Sequence, residues 1–191
     1  MADLTLLQAV DRLFDLLEQR KVDYVLVGGI ALLQYVDSRN TEDIDLIVAV
    51  SALERLPEVQ IGRRDEFFAQ GQMEGLRIDF LLTRNRLFQH VQRQHATKQA
   101  FADRMIPCAT VEGLLLLKLY ALPSLYRQGD FQRVALYEGD IAMLLERYQP
   151  DIAVLLNELS GYLSETDFNA VQEIVAEISG RIERFRRRSA E

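Results

Sequence analysis

Residues 25–48 read VLVGGIALLQYVDSRNTEDIDLIV, an apolar run closed by two glycines and a second apolar run opened by two aspartates. Both features cost stability. Glycine loses more backbone freedom on folding than any other residue, and a carboxylate among apolar side chains is expensive without a partner. Val22–Val27 is β-branched and apolar, the pattern of a strand, and Gly28 and Gly29 break it. IALLQYV then reads as a short helix and EDIDLIVAV as a second strand. The unit is therefore strand, glycine turn, helix, acidic strand.

Working outward, Leu6, Leu7, Val10, Leu13, Phe14 and Leu17 recur at helical spacing and predict an amphipathic helix over residues 3–20. After SALERL, the stretch EFFAQGQMEGLRIDFLLT predicts a hairpin with Glu74 and Gly75 at its turn and Leu76–Leu82 returning as a strand. Residues 84–100 carry helix formers and a polar face, and RMIPCA predicts a last strand whose Pro107 marks a sheet edge. Beyond that only helical periodicity remains. It predicts helices over 110–122, about 131–148, about 150–162, and 165–187 behind a capping signal at Ser164–Asp167. The expectation is an α/β (α+β) fold: a mixed sheet flanked by helices over residues 1–109, then a helical bundle over 110–191.

Composition narrows the function. A chain of 191 residues, 49% hydrophobic, can bury a sound core. A net charge of -7 argues against a surface given over to nucleic acid. The single cysteine, Cys108, has no partner for an internal disulfide, and no signal-type or membrane-length apolar run is present. The expectation is a soluble cytoplasmic protein with no membrane partner.

Strand alternation puts Asp43 and Asp45 on one face, roughly 6.6 Å apart, with Ile44 on the other. Two such carboxylates repel unless a cation lies between them, and Mg²⁺ is the hard, oxygen-preferring ion for that role. Asp79, alone in the apolar RIDFLL, supplies a third acid and reads as a buried charge in need of a partner. Three acids on adjacent strands can hold two metal ions that clamp the attacking and leaving oxygens of a phosphoryl displacement. Gly28 and Gly29, at a helix start, let backbone N–H groups approach a triphosphate. Arg39 and Thr41 lie where they could reach a phosphate oxygen. Each signal alone is bland, since a GG pair is commonly a tight turn and a DxD a solvated strand edge. Their combination carries the reading.

VGGIALLQYVDSRNTEDIDLIV followed by RIDFLL resembles the nucleotidyltransferase superfamily typified by DNA polymerase β, with thirteen residues between Gly29 and Asp43. The stretches LVGGIAL, TEDID, KLYAL and EGDIAMLL are similar to the bacterial abortive-infection (AbiEii-like) branch and its minimal nucleotidyltransferase relatives, over roughly residues 22–145. The resemblance implies transfer of a nucleoside monophosphate from an NTP such as ATP to an acceptor hydroxyl, with two Mg²⁺ ions and release of pyrophosphate. Asp43 and Asp45 would bind both metals, Asp79 would bind the catalytic metal and help activate the acceptor, and Gly28 and Gly29 would hold the triphosphate. Lys118 would add a charged contact from the helical half. In a toxin–antitoxin setting the acceptor would be tRNA or a protein, with a cognate antitoxin as partner. Two alternatives stand: an antibiotic nucleotidyltransferase, whose acidic helical half would suit a polycationic drug, and a non-catalytic nucleotide-sensing or partner-binding module. The branch's Lys-Asp pair has no clear match here, although Asp140 matches its later aspartate.

His90 and His95, five apart on a polar helix, read as separate surface residues rather than metal ligands. The tail RIERFRRRSAE holds five arginines and reads as a solvated helix end. Tyr120, Tyr126 and Tyr137 read as core.

Overall fold

The computed structural model describes residues 2–36 and 43–189. The chain divides into two compact units, Met1–Thr110 and Val111–Glu191.

The first unit opens with α1 (Ala2–Gln19), whose Ala9, Val10, Leu13, Phe14 and Leu17 form one buried stripe. β1 (Tyr24–Val27) follows, then α2 (Gly28–Leu32), β2 (Asp43–Val48) and α3 (Val50–Leu53). Next come β3 (Gln60–Arg64), β4 (Phe68–Met73), β5 (Leu76–Leu82), α4 (Arg86–Gln94), β6 (Ala96–Phe101) and β7 (Arg104–Ala109). The strands form one seven-stranded sheet in the order β3-β4-β5-β2-β1-β7-β6. The sheet is mixed, as expected: β2 pairs with β5 and β1 with β7 in parallel, and the other neighbours are antiparallel. Its centre is apolar because β2 and β5 alternate: Ile44, Leu46, Ile78 and Phe80 are fully buried. The β4–β5 turn is at Glu74 and Gly75, both with positive φ, the two-residue hairpin whose twist matches its strands.

Two expectations need correction, and one strand was not anticipated. Helix α4 ends at Gln94, and residues 96–100, read as the end of that helix, lie in β6. β3 was not legible at all. Both are edge strands, and exposure along them removes the apolar alternation by which a half-buried strand is recognised: every residue of β3 is exposed. Pro107 lies in β7, which is interior rather than an edge. Its register with β1 is carried at Leu26↔Cys108, against six paired positions on the β6 side, so the missing N–H falls where the ladder is sparse.

The second unit is helical: α5 (Val111–Gln128), α6 (Phe131–Tyr148), α7 (Ile152–Ser160) and α8 (Glu165–Ser189). Asp130, Asp151 and Ser164 cap α6, α7 and α8 by accepting first-turn N–H groups, those of Arg133, Val154 and Asp167. α5 continues through Pro123 to Gln128, past its expected end at 122, because packing against α6, α7 and α8 buries Leu122, Pro123 and Leu125 and outweighs the lost hydrogen bond. Among the described residues, no helix is long and apolar enough to cross a membrane.

Candidate active site

The site is built by the pairing of β2 with β5. Alternation along β2 sends Ile44 into the core and leaves Asp43 and Asp45 half-exposed on the opposite face. The parallel register sets Asp43 beside Arg77 and Asp45 beside Asp79. The antiparallel register with β4 adds Gln72 beyond Arg77 and Gln70 beyond Asp79. Directly paired residues share a face, so two polar rows cross the sheet: Asp43, Arg77, Gln72 and, one step along, Asp45, Asp79, Gln70.

The two rows differ in charge. In the first, the Arg77 guanidinium grips Asp43 with both arms: Nε donates to Oδ1 at 2.6 Å and Nη2 donates to Oδ2 at 2.9 Å. In the second, two carboxylates stand side by side on strands about 4.8 Å apart, an arrangement of like charges that costs stability. Asp79 is half-buried, not sealed in the core as the sequence suggested. Three carboxylates within one two-by-two patch form an all-oxygen, anionic donor set, which fits a hard divalent cation such as Mg²⁺.

Gly28 closes the patch from β1. Val27, the last residue of β1, pairs with Asp45, so the chain must turn away directly beside that carboxylate. Gly28 does so at φ +67, and a Cβ there would overlap the Asp45 side chain. The position therefore demands glycine for both conformation and space. Gly28 and Gly29 do not form a loop before the helix, as expected, but are the first turn of α2, whose N–H groups have no partner within the helix. α2 is five residues long, so these individual N–H groups, rather than a helix dipole, would meet an anion.

Of the residues singled out in the sequence, Asp43, Asp45, Asp79, Gly28 and Gly29 meet at this end of β1, β2 and β5. Arg39 and Thr41 lie outside the described residues. Lys118 belongs to the second unit, where it is 4% exposed: Nζ donates to Asp140 Oδ2 at 2.8 Å and sits 4.3 Å from the Tyr137 ring centroid. It does not snorkel to solvent. Arg77 was missed, although its place two residues before Asp79 on a strand puts it on the same face by alternation alone.

Two smaller readings change. The rings of His90 and His95 meet with centroids 5.5 Å apart, because His95 follows the end of α4 at φ -123 and ψ 39 and escapes helical spacing. Tyr126 is not core: it is 40% exposed and donates its hydroxyl to Glu138. Within the arginine-rich end of α8, Arg181, Arg186 and Arg187 face Glu138, Glu146 and Glu183, as suits a solvated helix.

The chain is similar in structure to ANT(2")-Ia in complex with adenylyl-2"-tobramycin (TM-score 0.57, 10% identity, 91% of this chain and 98% of that one). A solution structure of the antibiotic-resistance factor ANT(2")-Ia gives TM-score 0.55 at 10% identity, with 95% and 96% covered. An antigenic nucleotidyltransferase-like protein from Paracoccidioides brasiliensis gives TM-score 0.50 at 16% identity, with 89% and 93% covered. No protein-family model matches the chain, and no curated protein matches it significantly. The likenesses give this chain the nucleotidyltransferase fold.

Proposed function

We propose that the protein transfers a nucleoside monophosphate from an NTP to an acceptor hydroxyl and releases pyrophosphate. The observation that carries this reading is the in-register pair Asp45 and Asp79, with Asp43 beside them and Gly28 held against the Asp45 carboxylate. Two like charges set side by side by register cost stability, and replacing one would be a simple stabilising change.

Asp43, Asp45 and Asp79 are the residues that would hold two Mg²⁺ ions. When bound, the ions neutralise the triphosphate and stabilise charge on the attacking and leaving oxygens. Asp79 would accept the proton of the attacking hydroxyl. The first-turn N–H groups of α2 would donate to triphosphate oxygens, and only glycine at 28 lets them approach that closely. Arg39 and Thr41 would add phosphate contacts. The acceptor is a hydroxyl of tRNA or of a protein, as in a toxin with a cognate antitoxin.

A second acceptor class is favoured by a specific observation. The fold matches ANT(2")-Ia over almost the whole of both chains, and the charge of -7 suits a polycationic small molecule such as an aminoglycoside.

The test is incubation with each α-labelled NTP and Mg²⁺, offering total RNA, cell protein and aminoglycosides in separate reactions beside an Asp45→Asn control. Label carried by one acceptor class with the wild type alone is the expected result. Equal labelling by the control, or none with any acceptor, overturns the reading; metal-dependent NTP binding without transfer would point to the sensing module.

A further inference from the structure

We propose that the arginine-rich end of α8 is a docking surface for single-stranded RNA. The inference goes beyond the proposed transfer reaction and stands on the second unit alone.

Residues 181–188, RIERFRRR, hold five arginines and one glutamate, a net charge of +4 within a chain of net -7. All of them except Ile182 are exposed. Helical spacing puts Arg181, Arg184 and Arg188 on one face, and Phe185, 69% exposed, stands among them. Dipole complementarity does not account for this row. That effect fades within the last turn of a helix, whereas Arg181 lies about two turns before the end of α8 at Ser189. Internal ion pairing does not account for it either. Arg181, Arg186 and Arg187 stand 3.5, 3.7 and 4.0 Å from Glu138, Glu146 and Glu183, and such long pairs at the surface are worth little. Arg184 and Arg188 lie outside those three pairs.

The chemistry of the face fits a nucleic-acid strand. A guanidinium fork matches two oxygens of a phosphate and is lightly hydrated, so it exchanges a weak carboxylate pair for a phosphate at small cost. An exposed ring among arginines is a platform on which an unpaired base stacks, and RNA presents unpaired bases in its loops and ends. An anionic membrane is the rival polyanion. A helix lying in a lipid surface needs a broad apolar face, and among the described residues Phe185 is the one large apolar side chain exposed on α8. The acidic remainder of the chain repels a polyanion and so confines its contact to this end.

The test titrates the full chain into a short fluorescein-labelled single-stranded RNA of mixed sequence and follows anisotropy across a KCl series. EDTA is present and nucleotide absent, so the candidate metal site takes no part. Wild type is compared with Arg184→Gln/Arg188→Gln, Arg184→Lys/Arg188→Lys and Phe185→Ala. Arg63→Gln/Arg64→Gln, on the exposed strand β3, removes the same charge elsewhere. Circular dichroism verifies that each variant keeps its helix content. Arg184→Gln/Arg188→Gln is expected to bind about tenfold more weakly and to lower the slope of log affinity against log salt by about 1.4, at about 0.7 per phosphate contact. The double lysine variant keeps that slope, because it keeps both charges. Phe185→Ala is expected to lose about tenfold in affinity with the slope unchanged, the mark of a lost stacked base. The β3 control binds as wild type does. No RNA binding by wild type at low salt, an equal loss in the β3 control, or binding to phosphatidylserine vesicles in place of RNA overturns the docking surface. Phe185→Ala at wild-type affinity overturns the stacking platform. Transfer is read separately, with NTP and Mg²⁺, so its failure and the failure of this inference are told apart.

Discussion

Gly28 and Asp45 are coupled by contact. The backbone at 28 is left-handed, which costs a non-glycine residue about 1–2 kcal/mol, and the Cβ of any such residue would overlap the Asp45 side chain. Gly28→Ala is therefore expected to lower stability by more than the backbone term alone, and to abolish transfer by moving the carboxylate. The contact itself can be isolated. In an Asp45→Ala background the cost of Gly28→Ala should fall by about 1 kcal/mol or more, a coupling read from the four chemical-denaturation curves of a double-mutant cycle. Additive costs would show that the Asp45 carboxyl group adds nothing to the strain at 28, since the Asp45 Cβ, 2.7 Å from a Cβ at that position, remains in the Ala variant. Gly28 and the acid pair were legible in the sequence because each breaks a local rule. Arg77 broke none, since an arginine on a strand face is ordinary, and its partner lies 34 positions away.

At the scale of elements, α5 and α6 are joined through a charge in an apolar seam. Lys118 and Asp140 are 4% and 2% exposed, and they answer one another at 2.8 Å beneath the Tyr137 ring. Removing one partner takes from the other its buried ion pair. Lys118→Met is expected to destabilise the second unit by about 3–5 kcal/mol, whereas Lys118→Met combined with Asp140→Leu should recover most of that loss. Urea denaturation followed by helical circular dichroism checks both. If the double variant is as unstable as the single one, the pair does more than compensate itself. The sequence marked Lys118 as anomalous within LLLLKLYAL, but snorkelling is the usual fate of such a lysine; only the packing of α6 against α5 brings Asp140 within reach.

For the whole molecule, the core imposes a pH dependence. Burial pushes the Cys108 thiol from 9.0 up to about 12, and burial pushes the Tyr24 phenol from 10.0 up to about 12. Both groups stay protonated in the folded state over a range where the unfolded chain ionises. Their contribution to stability is therefore full below the unfolded values and is lost as pH rises from about 9 towards 12. Urea midpoints should be flat up to about pH 8 and decline above pH 9, less steeply in Cys108→Ala. A Cys108→Ala curve parallel to that of the wild type would remove the thiol from the account. For the same reason native Cys108 should resist alkylation at pH 8 and react only on unfolding.

The sequence by itself determined the local units: the amphipathic first helix, the glycine break, the acidic strand, the 74–75 hairpin and the helical second half. Each is set by periodicity or backbone conformation within a few residues. It also named three of the four charged members of the candidate site. The tertiary structure alone decided the edge strands β3 and β6, the interior place of Pro107, the partnership of Arg77 with Asp43, and the burial of Lys118 against Asp140. These depend on which strand or helix lies alongside, and an exposed edge or a pair of opposite charges far apart in the chain leaves no local pattern to read. Alternation says which face a side chain takes; only register says what it meets there.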